Sequence, residues 1–182
     1  MPENLVTVNG RRKRMNIDEV KARVIAAVGK FRKNDIALIM VDAHERSMSH
    51  KLAQYVQEQF NGWDVDCEYN RHGSEPKEIL ENGSWRRWAN AYTLLGDEKA
   101  KTIYPDIVVH RRLSDEDNLL VVEVKKSTTV SESKLDIDKL EALTSKNYEY
   151  RYHFGVQIVI AIDWHGNLAD KYNWYEDGEA SP

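Results

Sequence analysis

A proline–aspartate pair, Pro105-Asp106, and a Glu-x-Lys triplet, Glu123-Val124-Lys125, each sit at the end of an apolar run. The runs are Ile107-Val108-Val109 and Leu119-Leu120-Val121-Val122. Between them Arg111 to Asn118 is polar and holds the Ser, Asp and Asn that favour turns, so Tyr104 to Ser127 reads as a β-hairpin. Successive strand side chains point to opposite faces, which puts Glu123 and Lys125 on one side with Cα atoms ~7 Å apart. Antiparallel pairing brings Asp106 beside Glu123. Two carboxylates held together repel unless a cation lies between them. Oxygen-only ligands suit a hard divalent ion, and Mg²⁺ completes its shell with waters and substrate phosphate oxygens. A lysine two residues along can orient or deprotonate a water or steady a phosphate oxygen, because its ammonium is compact and its pKa falls on desolvation. The plainer account has both acids ending strands and pairing with Lys125 or an arginine. A bare P-D followed by E-x-K occurs by chance in many chains; the weight here comes from both halves abutting buried strands.

Several elements must position these groups. Neither apolar run alternates with polar residues, so both strands belong to a sheet covered on both faces. Upstream, Ile17, Val20, Val24, Val28 and Phe31 recur at helical spacing. Ile36 to Val41 is a short apolar run that periodicity leaves as strand or helix turn. A second helix carries the stripe Met48, Leu52, Tyr55, Val56 and Phe60, and Glu45 falls on that stripe. A carboxylate on a core-facing side needs a partner. Either it joins the cation of Asp106 and Glu123, or it closes a capping box, Asp42-x-x-Glu45. His50 projects away from the stripe, as a surface or packing residue. Trp63 to Arg71 alternates like a half-exposed strand, with Asp64, Asp66 and Glu68 on a solvated face rather than in a second metal cluster. After the hairpin, Ser131 to Lys146 reads as a helix, with Asp138 and Lys139 as polar candidates for facing the site. Val156 to Ile162 is a third apolar strand.

The chain of 182 residues with 41% hydrophobic content can bury one core. We therefore expect a single domain over 17–166, between a basic arm at 1–16 and an acidic tail at 167–182 that packs on the surface and fades into disorder. One cysteine, Cys67, excludes an internal disulfide and a C-x-x-C zinc pattern, and reads as a small buried side chain. With no apolar run of membrane-spanning length and no signal-peptide pattern, a soluble cytoplasmic protein is expected, with no membrane partner. The formal net charge of −4 speaks against indiscriminate nucleic-acid binding, although the run Arg11 to Arg14 is able to clamp phosphates or to form a solvated tail. Trp85, Arg86, Arg87 and Trp88 fit the packing edge of a short helix better than a base-stacking platform.

Taken in order, E-R-S-M-S-H-K-L-A-Q-Y, Y-P-D-I-V-V-H, V-V-E-V-K-K and D-K-L resemble the PD-(D/E)xK nuclease superfamily over roughly residues 42–163. The chain looks like the small prokaryotic members of that group. The resemblance implies an α/β, restriction-endonuclease-like fold with a mixed four-to-five-stranded sheet flanked by helices. It implies that Asp106 and Glu123 bind Mg²⁺, with Mn²⁺ as a substitute, and that the backbone carbonyl of Val124 completes the set. Lys125 would position or activate water, and Glu45 would be an additional metal or water ligand. Arg71, Lys77 and Lys139 are expected to contact the substrate backbone. The implied activity is divalent-metal-dependent hydrolysis of phosphodiester bonds, in DNA rather than RNA, with a homodimer suited to cutting both strands of a duplex. The competing expectation is a non-catalytic module of the same fold that binds nucleic acid or protein, which has no need of all four groups. A third is a different α/β enzyme in which D and E-x-K are coincidental and share no pocket.

Overall fold

The computed structural model describes residues 15–69, 104–112, 114, 117–126, 134–147, 150–162 and 169–182, with the backbone alone at residue 135. Short strands at Thr7–Val8, Arg11–Arg12, Arg71–His72, Glu75–Pro76, Glu78–Leu80 and Ala100–Thr102 are likewise described by backbone only. The expectations for most of the basic arm and for Trp85 to Trp88 lie outside the described residues.

Helix α1 (Ile17–Asp35) starts with a capping box. Asn16 Oδ1 accepts from the Glu19 amide at 2.8 Å, and Glu19 Oε2 accepts from the Asn16 amide at 3.1 Å, which satisfies two otherwise free donors. The ambiguous run after it is a helix turn, α2 (Ala37–Met40). Helix α3 (Glu45–Gln59) packs on α1, with Met48, Leu52 and Val56 against Val20, Val24 and Phe31. The Asp42-x-x-Glu45 capping box, one of the two alternatives for Glu45, does not form. His44 is the N-cap, accepting from the Arg46 amide at 3.3 Å, while Asp42 adopts φ 56° and gives its carboxylate to Lys126.

The sheet has six strands: β1 (Asp64–Cys67), β2 (Ile107–His110), β3 (Leu120–Lys126), β4 (Phe154–Ile160), β5 (Lys171–Glu176) and β6 (Glu179–Ser181). They lie side by side in the order β6-β5-β4-β3-β2-β1. Every neighbouring pair is antiparallel except β3 and β4, which are parallel. A parallel pair requires a crossover, and helix α4 (Lys134–Thr144) supplies it. The protein is thus mixed α/β, with more strands than the four or five expected.

The two extra strands come from the stretch expected to be a fading tail. Trp174 and Tyr175 of β5 are buried, and Asp177 (φ 55°) and Gly178 (φ 84°) make the two-residue turn into β6. Positive φ at both central positions matches the twist of a hairpin. Asp170, just before β5, ion-pairs with buried Arg32 of α1, which also donates to the Ala161 carbonyl at 2.6 Å.

Both hairpin strands are buried on both faces, as their continuous apolar runs require. Leu120, Val122, Val124, Val156, Ile158 and Ile160 pack towards α1 and α3. Val108 and Val121 pack on the other side with Leu140 and Leu143 of α4 and with Tyr152 and Tyr175. Cys67 is exposed rather than buried, because it ends the edge strand β1. Among the described residues no helix is long and apolar enough to cross a membrane.

Candidate active site

The β2–β3 register pairs Ile107 with Val122, so the next step outwards sets Asp106 opposite Glu123. Asp106 Oδ2 accepts from the Val124 amide at 2.7 Å, which fixes the carboxylate against the end of β3. Glu123 is 1% exposed. Its Oε2 accepts from Lys139 Nζ, and its Oε1 has no hydrogen-bond partner among the described residues.

Two helix starts meet these strand ends. Asp136 and Lys139, three apart in α4, lie on one helix face. Asp136, 4% exposed, ion-pairs with Lys139 Nζ at 3.3 Å through Oδ1 and with Lys125 Nζ at 3.0 Å through Oδ2. Lys125 Nζ also lies 3.4 Å from Oε2 of Glu45, the first residue of α3. Glu45 Oε1 accepts from the Lys126 amide at 3.1 Å. Glu45, Lys125, Asp136, Lys139 and Glu123 thus form one linked chain of charges, with Asp106 beside Glu123.

Burial governs the electrostatics. It pushes Glu123 well above the ordinary carboxylate range; Lys139 opposes this, and Asp106 and Asp136 add to it. Burial also raises Asp106, against the pull of the Val124 amide, Lys139 and Lys125. For Lys125, burial favours the neutral amine, but Asp136 and Glu45 outweigh it and hold the ammonium above its usual range. Lys139 is held up in the same way by Glu123 and Asp136. Of the roles open to Lys125, orienting water or steadying a phosphate oxygen suits a held ammonium better than deprotonating water. Its geometry suits donation to a negative oxygen.

Glu45, Asp106, Glu123 and Lys125, far apart in sequence, are therefore brought to one end of the sheet. Val124 contributes its amide, which holds Asp106. Lys139, a residue expected to contact the substrate backbone, has its ammonium on Glu123 and Asp136. The Arg71 side chain and Lys77 lie outside the described residues. Asp136 and Gln157, the latter the register partner of Glu123 on β4, escaped the sequence reading. Gln157 had a visible signal, a lone amide within the apolar run V-Q-I-V-I.

Among the described residues no three His, Cys, Asp or Glu side chains gather closely enough to hold a metal ion as a cage. Mg²⁺ does not need one; it is commonly bound through one or two carboxylates, with waters and substrate oxygens filling the shell. Asp106 and Glu123 fit that form, since Glu123 Oε1 is buried and has no hydrogen-bond partner among the described residues. Four carboxyl groups here face the two ammonium groups of Lys125 and Lys139, an imbalance that a divalent cation would offset. Beside Asp106 opens a cavity of about 170 Å³ lined by Arg46, Ser49, His50, Cys67 and Glu68. His50 is exposed, as expected, and borders this cavity. Although Cys67 is exposed, its sulfur is partly covered against Ser49, and the thiol is pushed up to about 11, first by that desolvation and then by Asp106, Asp66 and Glu68.

The acids of β1 are not a bare solvated face. Asp66 Oδ2 lies 2.9 Å from His110 Nε2 and 2.8 Å from Arg112 Nε, and its Oδ1 lies 2.5 Å from a terminal Arg112 nitrogen. The Arg112 amide donates to Asp64 Oδ2 at 3.1 Å. No family model, curated protein or solved structure matches the chain.

Proposed function

We propose that this protein is a divalent-metal-dependent nuclease of the PD-(D/E)xK type, with a restriction-endonuclease-like core, that hydrolyses phosphodiester bonds in DNA. One observation carries this: a fully buried glutamate, Glu123, keeps one oxygen without a partner among the described residues, beside a second carboxylate, Asp106. Burying an uncompensated charge is costly, so such a pair calls for a cation. A bound Mg²⁺ or Mn²⁺ supplies Lewis acidity towards the phosphate and lowers the pKa of water.

The chain's own groups do the rest. Asp106 and Glu123 hold the ion, Asp106 with its orientation set by the Val124 amide. Lys125, steadied by Glu45 and Asp136, offers a fixed ammonium to a phosphate oxygen as negative charge develops there. Lys139 keeps Glu123 Oε2 in place. The cavity beside Asp106 takes the part of the nucleic acid next to the reacting phosphate. Cutting both strands of a duplex favours a homodimer carrying two such sites.

The test is cleavage of plasmid and single-stranded DNA with Mg²⁺ or Mn²⁺ by the wild type, Asp106→Ala and Lys125→Ala. Metal-dependent cutting lost in both variants is the expected result. Equal residual cutting by all three would assign the activity to a contaminant and end the proposal. The Lys139–Glu123 ion pair favours one alternative, a non-catalytic module of the same fold that binds nucleic acid or protein, because an ammonium already partly neutralises the buried acid. Such a module would show no divalent-ion affinity that Glu123→Ala removes in calorimetry.

A further inference from the structure

Glu123 belongs to a row of polar residues that crosses the sheet. Register pairs it with Gln157 on β4, and Gln157 in turn with Asn173 on β5. On the other side the row continues to Asp106 and then to Glu68, whose amide donates to the Asp106 carbonyl at 3.2 Å. Above and below, on β3 and β4, the neighbours on either side of Glu123 and Gln157 are Val122, Val124, Val156 and Ile158.

Gln157 is 0% exposed. Asn173 Nδ2 donates to Gln157 Oε1 at 3.0 Å, which orients the amide: the oxygen faces β5, and the nitrogen is left for the other side. That nitrogen, Nε2, has no hydrogen-bond partner among the described residues. Neither has Glu123 Oε1, the atom on the adjoining strand position. Paired positions on neighbouring strands lie ~4.8 Å apart, and Glu and Gln side chains have equal reach. One orphan is a donor and the other an acceptor. A buried donor without a partner is destabilising, and so is a buried acceptor, and these two belong to register-paired positions.

We infer that Gln157 is a positioning residue for the candidate metal site, its Nε2 donating to Glu123 Oε1 directly or through one shared water. A carboxylate oxygen has two lone-pair directions, so Oε1 can accept from Gln157 on one and face the ion with the other. Asn173 stands one step further out and fixes which end of the Gln157 amide faces the acid. Groups that aim a metal ligand in this way change affinity by roughly 10–100-fold when removed. The inference rests on the reading of Glu123 as a metal ligand, and the tests separate the two.

The first test is calorimetric titration of Mn²⁺ into the whole wild-type chain, Glu123→Gln, Gln157→Leu and Asn173→Ala, each checked by thermal unfolding. Glu123→Gln is expected to abolish binding. Gln157→Leu should weaken it by about tenfold or more, with thermal unfolding used only to confirm that the variant is folded, since losing the amide also takes a partner from Asn173. Asn173→Ala should weaken binding less. Wild-type affinity in a folded Gln157→Leu overturns the inference. Should that variant fail to fold, Gln157→Met, unbranched and equally long, takes its place under the same criterion. The second test needs no metal: a high-resolution crystal structure should show Gln157 Nε2 within hydrogen-bonding distance of Glu123 Oε1, or of a water that also touches it. An amide turned to a different acceptor overturns the inference even if Mn²⁺ binds. If the wild type binds no Mn²⁺ while the contact is present, the metal reading fails and the pairing of Gln157 with Glu123 stands.

Discussion

Strand β2 has a polar cluster at each end, and the two are built to opposite rules. At the His110 end, Asp66 is held by Arg112 and His110, and Tyr69 stacks edge-on to the His110 ring at a centroid distance of 4.4 Å. The Arg112 guanidinium, helped by His110, keeps the Asp66 carboxyl below the ordinary range despite its partial burial. At the Asp106 end the carboxyls of Asp106 and Glu123 are both pushed up, and one buried oxygen has no partner among the described residues. The same strand thus carries a satisfied cluster that stabilises the fold and a frustrated one that stores a demand for positive charge. Partly satisfied buried polar networks are costly, and they gather where function requires them.

Exchanging roles between the two ends is the strongest way to break this contrast. Asp106→Ala should lower metal-dependent DNA cleavage by about 10²–10³-fold or more, with the thermal midpoint kept within ~3 °C, about 1 kcal/mol at this chain length. Asp66→Ala should do the reverse, costing ~1–3 kcal/mol of stability by chemical denaturation with cleavage retained. A destabilised Asp106→Ala that still cuts DNA would erase the distinction.

Proton linkage sharpens it. Glu123 is raised by burial, so the folded state holds its proton more tightly than the unfolded chain does. Its contribution to stability is present below the ordinary carboxylate pKa and is lost as pH climbs from there through the raised value. Asp66 is lowered, so its contribution is present above the ordinary value and lost as pH falls through the depressed one. Thermal midpoints measured from pH 4 upwards should therefore fall less steeply in Glu123→Gln than in the wild type. Midpoints below about pH 4 should fall less steeply in Asp66→Asn. Mn²⁺ affinity should rise with pH over the window in which Glu123 loses its proton, because the ligand must be deprotonated. An affinity that does not change with pH would contradict the raised carboxyl.

The smallest effect concerns Cys67, which borders the cavity. With its thiol pushed up to about 11, its thiolate fraction near neutral pH falls, and iodoacetamide labelling should slow, though less than in proportion because a more basic thiolate is also more nucleophilic. Asp106→Asn should accelerate the labelling, since Asp106 is one of the charges that raise the thiol. Labelling at the rate of an ordinary free thiol would show that the field of the site does not reach this edge.

Much of the site was legible because its ligands abut uninterrupted apolar runs. Asp106, Glu123 and Lys125 stand out against Ile107 to Val109 and Leu119 to Val122, and period-two geometry alone places two of them on one face. Glu45 was legible as an acid on an apolar stripe, but its role was not, since capping and ion pairing look alike in sequence. Asp136 could not be found that way, because in L-D-I-D-K two acids lie on different faces of α4 and only the packed helix decides between them. The partners of Lys125 are hidden for a related reason: Asp136, which with Glu45 outweighs the desolvation of the ammonium, comes from a separate element. The fold was underestimated at its C-terminus. Acidic composition between residues 167 and 182 obscured a local cue, Asp177-Gly178, whose type favours a tight hairpin turn.

That terminal hairpin has a practical consequence for anyone shortening the gene. Strand β4 is buried along its whole length, from Phe154 to Ile160, and β5 covers its outer side. A polypeptide stopped at residue 166 would present that greasy margin with its amides and carbonyls open, a template for sticking to other copies of itself. Trimming what looks like a dispensable acidic end should turn a well-behaved preparation into inclusion bodies.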